Sequence, residues 1–369
     1  MNKKTVLVRC DASARVGYGH LVRCLALAEA MRDRGRWEIV FAIAEDQGGV
    51  EAARARGFKV EHLRGNSGDE LDSASEARWL NLLIERHNAS LLVLDIRTNL
   101  SATAVNSIRY TGVKIAVIDD GSERRLSSDI AFYPPVPQLA KLNWDGYEGQ
   151  IKTGWEWILM PPTFSAERER KDAATETYEP TPGLESTNQV LVTMGGSDPA
   201  GLTLGVVRAI DTMVEDFNVT IVIGKAFSYE NELKSLLSSA SRTYELVRNP
   251  PSMAAVMRNA DIAIASFGAT AYELAAMGVP AMYLCLSEDH SQSATALANA
   301  GAAINLGIHS QVNPAQIQNA LRAWLAEPQT RKQAGKTAQK LVDGTGIYRV
   351  TGALEKLFED AYASSAEDK

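Results

Sequence analysis

Short apolar runs alternate with longer amphipathic segments through most of the chain, and this alternation limits the fold more than any other feature. Apolar runs separated by helix-length segments are typical of parallel strands that are buried on both faces. The runs are TVLVR (5–9), EIVFAIA (38–44), LLVLD (91–95), KIAVID (114–119), QVLVTM (189–194), NVTIVIG (218–224), DIAIAS (261–266) and PAMYLC (280–285). Helix-like segments lie between them at 21–34 and 73–87, and in the first of these the apolar residues Leu21, Leu25, Ala28 and Met31 recur at helical spacing.

The alternation stops once, between the fourth and fifth runs, and then restarts. Residues 165–189 are polar and charged and contain Pro180, Pro182 and Gly183, which is typical of a linker or a surface excursion. A chain of 369 residues is also too long for one ordinary core. We therefore predict an α/β protein of two doubly wound, Rossmann-like domains that face each other across a cleft. The predicted parts are an N-terminal domain (1–164), a linker (165–188) and a C-terminal nucleotide-binding domain (189–369).

Composition excludes several classes of partner. The formal net charge is −7, with 38 Lys and Arg against 45 Asp and Glu, so nucleic acid is not expected as a partner. The three cysteines, Cys10, Cys24 and Cys285, form no C-x-x-C pair and are expected to be reduced thiols. No signal peptide and no apolar run of about 20 residues is present, so we expect a cytoplasmic protein without stable membrane insertion. The sequence does not indicate an oligomeric state.

The first loop at a strand end, DASARVGYGH, combines two glycines with a histidine where a helix begins. Gly17 and Gly19 permit a tight turn and close approach to a ligand, while the helix N-terminus favours an anion and a neutral imidazole at His20. Arg23, one turn later, could meet an anion. Val22 stands where a dinucleotide fingerprint has its third glycine, so nicotinamide binding is not supported. A role of His20 in capping or packing alone is the alternative.

The second loop, VLVTMGGSDPAGLT, follows the first run of the second half. Gly195 and Gly196 permit close backbone approach, and the Ser197 hydroxyl can donate to a phosphate oxygen. Pro199 suits a first helical turn, and no G-K-[ST] sequence of a Walker loop is present. As the alternative, Ser197 and Asp198 are only helix caps.

The third region, 260–303, contains a strand that ends at Ser266, a glycine that opens a helix, and a later polar loop, SEDHSQS. Glu273 lies within the first two turns of that helix in an otherwise apolar segment, where a carboxylate can accept two hydrogen bonds from a ribose diol. A solvated glutamate on the helix face is the alternative.

These loops, in this order, resemble the UDP-sugar hydrolases of pseudaminic acid biosynthesis. The segments that carry the resemblance are VRCDASARVGYGHLVRCLALA, MGGSDP and ASFGATAYELAAMGVPAMYL. The chain is more distantly similar to the N-acetylglucosaminyltransferase of peptidoglycan synthesis. Both families have the GT-B architecture. The resemblance covers most of the chain and is weakest between residues 122 and 186.

The resemblance implies roles for particular residues. The histidine of the glycine turn, here His20, would be the general base that takes a proton from the attacking water as UDP leaves. The nucleotide would be bound by Gly195, Gly196, Ser197, Gly268, Ala269, Thr270 and Glu273. We predict that the substrate is bound by Asp11, Gly17, Gly19, Arg23, Asp95, Asp289 and His290. No cofactor and no metal is implied, and a C-terminal helix, 347–362, is a candidate to cross back to the first domain.

Two departures from the family pattern lie in loops that should face the donor sugar. The hydrolases continue the LLVLD strand with Asp-His-Tyr, whereas here Asp95 is followed by Ile96 and Arg97. The family's Asn-Gln pair after AMYLCL is replaced by Asp289 and His290. A different sugar, or a different acceptor, is therefore expected.

Three activities follow from this sequence. The first is a UDP-sugar hydrolase acting on a diacetamido-trideoxy hexose in surface-glycan synthesis, favoured because no basic amphipathic helix for membrane docking stands out. The second is an inverting GT-B glycosyltransferase with a UDP-sugar donor. The third is a binding protein without turnover. An epimerase that uses a nicotinamide cofactor is disfavoured, and no residue pattern separates UDP from CMP or GDP.

Overall fold

A computed structural model describes residues 3–11, 19–44, 47–63, 72–177 and 187–367. The chain forms two compact domains. The first domain comprises residues 1–161 and 345–369, and the second comprises residues 162–344. Each domain has a parallel sheet with helices on both faces, so the predicted doubly wound α/β class is confirmed.

The described part of the first domain contains a seven-stranded parallel sheet. Its strands are β1 (Lys4–Cys10), β2 (Trp37–Ala44), β3 (Lys59–Leu63), β4 (Ala89–Asp95), β5 (Lys114–Ile118), β6 (Ile130–Tyr133) and β7 (Gln150–Thr153). The spatial order is β3-β2-β1-β4-β5-β6-β7. The helices between the strands are α1 (Gly19–Asp33), α2 (Gln47–Ala55), α3 (Ser73–His87) and α4 (Ala102–Arg109).

The central strands are apolar throughout because both faces of the sheet are covered. On β1, Val6 and Val8 belong to the core on the α1 side, whereas Leu7 belongs to the core on the side of α3 and α4. The α1 stripe from Leu21 to Met31 is buried as predicted. Strands β3 and β7 lie at the sheet edges and mix polar with apolar residues, so they produce no continuous apolar run.

The second domain contains a six-stranded parallel sheet within the described residues. Helix α5 (Thr163–Thr177) precedes the strands β8 (Gln189–Thr193), β9 (Asn218–Ile223), β10 (Tyr244–Arg248), β11 (Ile262–Ser266), β12 (Ala281–Cys285) and β13 (Ala303–Ile308). The spatial order is β10-β9-β8-β11-β12-β13. The remaining helices are α6 (Leu202–Asp211), α7 (Glu230–Ser238), α8 (Met253–Arg258), α9 (Ala269–Ala276), α10 (Glu288–Asn299), α11 (Pro314–Ala326) and α12 (Pro328–Leu341).

The segment interpreted as a linker from residue 165 is in part the helix α5, which belongs to the second domain. Phe164 is buried, and Lys171 donates to the carbonyl oxygen of Ala260 at 3.0 Å. Glu167 pairs with Arg258 on α8 at 2.8 Å. The polar composition of this segment therefore did not indicate a helix, and α5 is held on the second domain by a few apolar and charged contacts.

The last helix, α13 (Gly346–Glu367), belongs to the first domain, as expected for a C-terminal helix that crosses back, although the predicted C-terminal domain of 189–369 included it. Ile347, Val350 and Leu354 on this helix are buried in the core on the α1 side. Trp37 of β2 packs edge-on against Phe358, with ring centroids 5.5 Å apart. This apolar face explains why the chain returns to its first domain. No helix in the described ranges is long and apolar enough to cross a membrane.

Candidate active site

The strand order of the first sheet reverses at its centre, at strand β1. Strand β1 lies between β2 and β4, so the loops that follow β1 and β4 leave the sheet towards opposite sides. Ligands of open α/β sheets bind in the crevice that this reversal creates at the carboxyl ends of the strands. His20 lies in the first turn of α1, directly after the β1 loop, and Asp95 is the last residue of β4. The predicted Gly17 lies outside the described residues, and Gly19 is the first residue of α1.

His20, Asp95 and Arg23 form a compact hydrogen-bonded group. The Nδ1 atom of His20 lies 2.6 Å from Oδ1 of Asp95. Arg23 donates to both oxygens of the same carboxylate, from Nε at 2.5 Å and from Nη2 at 2.6 Å. Two acceptor atoms would repel at 2.6 Å, so Nδ1 of His20 carries a proton and donates it to Asp95. In the neutral imidazole, Nε2 then keeps its lone pair and can accept a proton.

The surroundings of Asp95 keep its carboxylate charged. Its side chain is fully buried, and Cys24 contacts Oδ2 through Sγ at 3.5 Å. Burial by itself would raise the pKa of Asp95, but the Arg23 guanidinium, and then the hydrogen bond from His20, hold that pKa well below its usual range. A charged, fully paired carboxylate behind a histidine fixes the orientation and tautomer of the ring.

The sequence predicts that Asp11 and Asp95 bind the substrate, and in the structure both carboxylates are hydrogen-bonded to protein groups. Asp11 is buried, accepts from Nη1 of Arg9 at 3.0 Å and accepts from the backbone N–H of Arg97 at 2.5 Å. Asp95 serves His20 and Arg23. Substrate binding by these two residues stays a prediction, and their protein partners come from distant parts of the chain and are not apparent in the sequence.

Arg97 and Asp119 extend this group towards the surface. Arg97 donates from Nη2 to the Asp119 carboxylate at 3.0 Å and from Nη1 to the Asp119 carbonyl at 2.8 Å. The same carboxylate lies 3.7 Å from Nη1 of Arg23. Arg97 stands out in the sequence as a departure from the family pattern, whereas Asp119 does not stand out. The only available signal was an acidic residue directly after the β5 apolar run.

In the second domain, the loop after β8 passes very close to the end of β9. Gly195 adopts a left-handed backbone conformation with φ of 77°. A Cβ atom on Gly224 would lie 2.5 Å from the Cα of Gly196 and closer still to its carbonyl oxygen, so only glycine fits at that position. Gly195 and Gly196 are recognisable in the sequence as a loop, whereas Gly224 appears there only as the end of an apolar run.

The helix that follows this loop begins later than expected. Pro199 was predicted in the first helical turn, but α6 begins at Leu202. Asp198 is buried, and its carboxylate accepts from the backbone N–H groups of Leu202 at 2.8 Å and Thr203 at 2.9 Å. The N-cap residue of α6 is Gly201, and Asp198 performs the capping considered above by accepting from the first two N–H groups of the helix. The Ser197 side chain is partly exposed at the turn and makes no hydrogen bond within the described residues.

The loop after β11 lies beside the loop after β8, called here the glycine loop for its Gly195 and Gly196, because β8 and β11 are neighbours. Gly268 precedes α9, and Ala269 and Thr270 form its first turn, as predicted. Glu273 is partly buried on α9, and burial raises the pKa of its carboxyl to about 7. Its side chain has no hydrogen bond or ion pair to any residue that the structure describes. A desolvated carboxyl without a partner is suited to a ligand that donates hydrogen bonds.

Asp289 and His290 were placed in a polar loop, and the structure places both in the first turn of α10. Ser287 caps this helix by accepting from the backbone N–H of His290 at 3.2 Å. The His290 ring lies against Phe267, with ring centroids 6.2 Å apart. Burial lowers the pKa of the His290 imidazole, and the negative charge of Asp289 offsets only part of this effect. Its Nδ1 atom is buried without a hydrogen-bond partner. Both residues therefore lie at the carboxyl end of β12, next to the α9 turn.

No group of three or more His, Cys, Asp or Glu side chains that could hold a metal ion occurs in the described ranges. The three cysteines are free and buried.

Known proteins resemble this chain over most of its length. Residues 190–345 match the Glycosyltransferase family 28 C-terminal domain. The spore coat polysaccharide biosynthesis protein SpsG of Bacillus subtilis (strain 168) is 26% identical over 357 residues, which are 95% of this chain and 97% of SpsG. The UDP-N-acetylglucosamine--N-acetylmuramyl-(pentapeptide) pyrophosphoryl-undecaprenol N-acetylglucosamine transferase of Corynebacterium glutamicum (strain R) is 29% identical over 342 residues, 89% of this chain and 85% of that enzyme.

Solved structures agree with these matches. The crystal structure of MurG from Acinetobacter baumannii superposes with a TM-score of 0.69 at 16% identity, covering 96% of this chain and 99% of that chain. The predicted GT-B architecture is confirmed. The chain thus has the GT-B fold, and its residues 190–345 are similar to the Glycosyltransferase family 28 C-terminal domain.

Proposed function

We propose that this protein is an inverting GT-B glycosyltransferase that uses a UDP-sugar donor in the synthesis of a surface polysaccharide. The observation that carries the proposal is the hydrogen bond from His20 Nδ1 to the buried carboxylate of Asp95, which leaves Nε2 available as a base. The similarity to SpsG, a spore coat polysaccharide biosynthesis protein, supports the polysaccharide assignment. The similarity to a transferase that uses UDP-N-acetylglucosamine supports the donor.

In the proposed reaction, Nε2 of His20 takes the proton of an acceptor hydroxyl. The acceptor oxygen forms a bond to the anomeric carbon of the donor, and the bond from that carbon to UDP breaks, with its electron pair leaving on UDP. Asp95 stabilises the imidazolium that forms, because its negative charge is already oriented on Nδ1. Arg23 keeps Asp95 ionised and in place.

In the second domain, the glycine loop and the first turn of α9 would hold the diphosphate. Close approach of a phosphate to backbone N–H groups needs the small residues Gly195 and Gly196. Ser197 and Thr270 would supply hydroxyl donors. Glu273 would accept hydrogen bonds from the ribose hydroxyls, which supply the donors that its carboxyl lacks in the described structure.

Hydrolysis of the UDP-sugar is the second candidate. The segment around His20 resembles the UDP-sugar hydrolases of pseudaminic acid biosynthesis, and the same base could take a proton from water. In both reactions His20 removes a proton from the attacking O–H group, so the two activities differ only in whether water or an acceptor hydroxyl reaches this base.

A UDP-release assay tests the proposal. The full chain is incubated with a panel of UDP-sugars, including UDP-N-acetylglucosamine and UDP-linked diacetamido sugars, with and without glycoside acceptors, in water enriched in oxygen-18. For a transferase, we expect UDP release that depends on the acceptor and a glycoside product without label. Free sugar labelled at its anomeric oxygen would establish hydrolysis instead.

Substitution of His20 tests the assignment of the base. His20→Ala should lower turnover by roughly 10²–10⁴-fold and leave the Kd for UDP almost unchanged. His87→Ala is the matched control, because His87 also pairs with a carboxylate, Glu61, at 2.8 Å, in a partly buried contact between α3 and β3 that lies outside the His20 group. An equal loss in both variants, or no loss in His20→Ala, would refute the role of His20.

A further inference from the structure

The Arg97–Asp119 pair, defined by the two hydrogen bonds described above, lies at the outer end of the His20 group. Exposure of the side chains increases along the contacts, from 0% for Asp95 to 13% for His20, 22% for Arg23, 31% for Asp119 and 41% for Arg97. The pair is therefore the part of this group that solvent, or a ligand, meets first.

Buried charges hold Arg97 in position. Asp11 accepts from the backbone N–H of Arg97 and is itself paired with Arg9, which also binds Glu76 at 2.7 Å. The Arg9, Asp11 and Glu76 side chains are all buried. Burying charged side chains costs free energy, so a cluster of them beneath one short loop is unusual, and it is consistent with a need to fix the position of that loop.

A second buried arginine fixes the same loop from the other side. Arg124 donates to the carbonyl oxygens of Ile96 at 2.8 Å, Thr98 at 2.7 Å and Leu100 at 3.2 Å, and it pairs with buried Asp120. The loop 96–100 is thus anchored through its backbone at four points, the Arg97 N–H included. Its exposed arginine, beside the His20 group, is held rigidly.

Asp119 also shows features of a binding residue. Its backbone is left-handed, with φ of 52°, a conformation that costs energy for residues other than glycine and that is concentrated at functional sites. Its Oδ2 atom faces Arg97 and Arg23, whereas Oδ1 has no partner within the described residues. Among the residues that the structure describes, nothing occupies this carboxylate oxygen at the outer end of the His20 group, so it is available as an acceptor.

We propose that the Arg97–Asp119 pair selects the acceptor, by binding a neutral hydroxyl or acylamino substituent of a sugar next to the hydroxyl that His20 deprotonates. The free Asp119 oxygen accepts from an O–H or N–H group, and unused N–H groups of Arg97 donate to a hydroxyl or carbonyl oxygen. The pair has no net charge, and the Asp119 carboxylate repels a carboxylate or phosphate at this position. This inference rests on the proposed function of His20.

Ligand-observed NMR tests the inference without requiring turnover. The probes are methyl β-glycosides of N-acetylglucosamine, glucose and glucuronic acid, added to the full chain saturated with UDP. The first two carry the acylamino and hydroxyl groups in question, and the third carries a carboxylate. The wild-type protein should bind one or both of the neutral glycosides more tightly than the glucuronide, and their ratio identifies which neutral group is recognised.

Asp119→Asn and Arg97→Ala should weaken binding of the preferred neutral glycoside by about 10-fold, the loss expected for one hydrogen bond to a charged group. Asparagine tolerates the left-handed backbone, so Asp119→Asn avoids added strain. The matched control is Glu29→Gln. It breaks the Arg56–Glu29 pair, whose side chains have nearly the same exposures, 44% and 33%, as those of Arg97 and Asp119.

The inference is supported if both variants lose the neutral glycoside while the control variant, the UDP Kd and the melting temperature stay unchanged. Equal glycoside binding by wild type and both variants would overturn it, as would preferred binding of the glucuronide or binding of none of the three. Failure of the proposed function is recognised separately, as an absence of UDP release from every donor or an unaffected rate in His20→Ala.

Discussion

Replacing Glu273 by glutamine should stabilise the empty protein at alkaline pH while weakening its binding of a nucleotide sugar. Burial raises the pKa of this carboxyl to about 7 from an ordinary value of 4.5. The folded protein thus binds the proton more tightly than the unfolded chain, so the free energy of unfolding falls as the pH rises from about 4.5 to 7 and stays low above that. At about 1.4 kcal/mol per pH unit, the full cost is roughly 3 kcal/mol, and partial exposure of the side chain reduces it to on the order of 2 kcal/mol.

The same carboxyl should make binding of the nucleotide dependent on pH. If ribose hydroxyls donate to the ionised form, binding must first remove the proton that half of the molecules carry at pH 7. The ionised fraction rises from about 0.1 at pH 6 to about 0.9 at pH 8, so affinity should increase about 10-fold over this range, with about half a proton released at pH 7.

Calorimetry and urea unfolding measure the two effects. Binding of UDP-N-acetylglucosamine to His20→Ala, which should not turn over the donor, is measured at pH 6, 7 and 8 in buffers that differ in ionisation heat. UDP alone is a poorer probe, since its terminal phosphate titrates near pH 6. The variant Glu273→Gln should show no pH dependence of affinity and a higher urea midpoint at pH 8 but not at pH 4.5. Glu288→Gln, at an exposed site on α10, is the control.

A wild-type affinity that is constant between pH 6 and 8 would refute the assignment of Glu273 to the ribose. A stability of Glu273→Gln equal to wild type at pH 8 would refute the inference that this carboxyl is desolvated without a partner.

Three further substitutions test other parts of the structure. Asp95→Asn should lower turnover by about 10²–10⁴-fold at an unchanged UDP Kd, because the amide no longer fixes the tautomer of His20; a rate near wild type in the UDP-release assay would contradict this. Gly224→Ala should displace the loop that contains Gly195 and Gly196, and calorimetry should show UDP binding weakened about 10-fold. Gly205→Ala is the control, because a Cβ there meets nothing within 4 Å. This variant should keep its affinity for UDP and stabilise α6 by about 0.5–1 kcal/mol. Asp198 has a left-handed backbone with φ of 42°, so Asp198→Ala should lower the free energy of unfolding by about 2–4 kcal/mol, through backbone strain and the loss of two buried hydrogen bonds. Asp198→Gly avoids the strain, and a stability equal to wild type in urea unfolding of this variant would contradict the role of the hydrogen bonds.

The elements that the sequence predicted well are those whose local pattern matches their burial. The continuous apolar runs became central strands because helices cover both sheet faces, and the segment 73–87 is helix α3 with the predicted bounds. The edge strands β3 and β10 were missed because solvent on one side permits polar residues, which interrupt the pattern. Helix α5 was missed because its polar composition is typical of a linker, and its few contacts are with residues far along the chain.

The candidate site likewise combines features that the sequence predicts with features that only the tertiary structure shows. Sequence alone determined that His20 follows a glycine turn at a helix start and that glycine loops follow strands of the second sheet, because strand ends, glycines and helix starts are local features. Only the tertiary structure decided that Asp95, 75 residues away, supports His20, that Asp11 holds the loop of Arg97, and that Gly224 must lack a side chain. These partners are set by which strands are neighbours in a sheet, and that order arises from long-range packing that no short stretch of sequence contains.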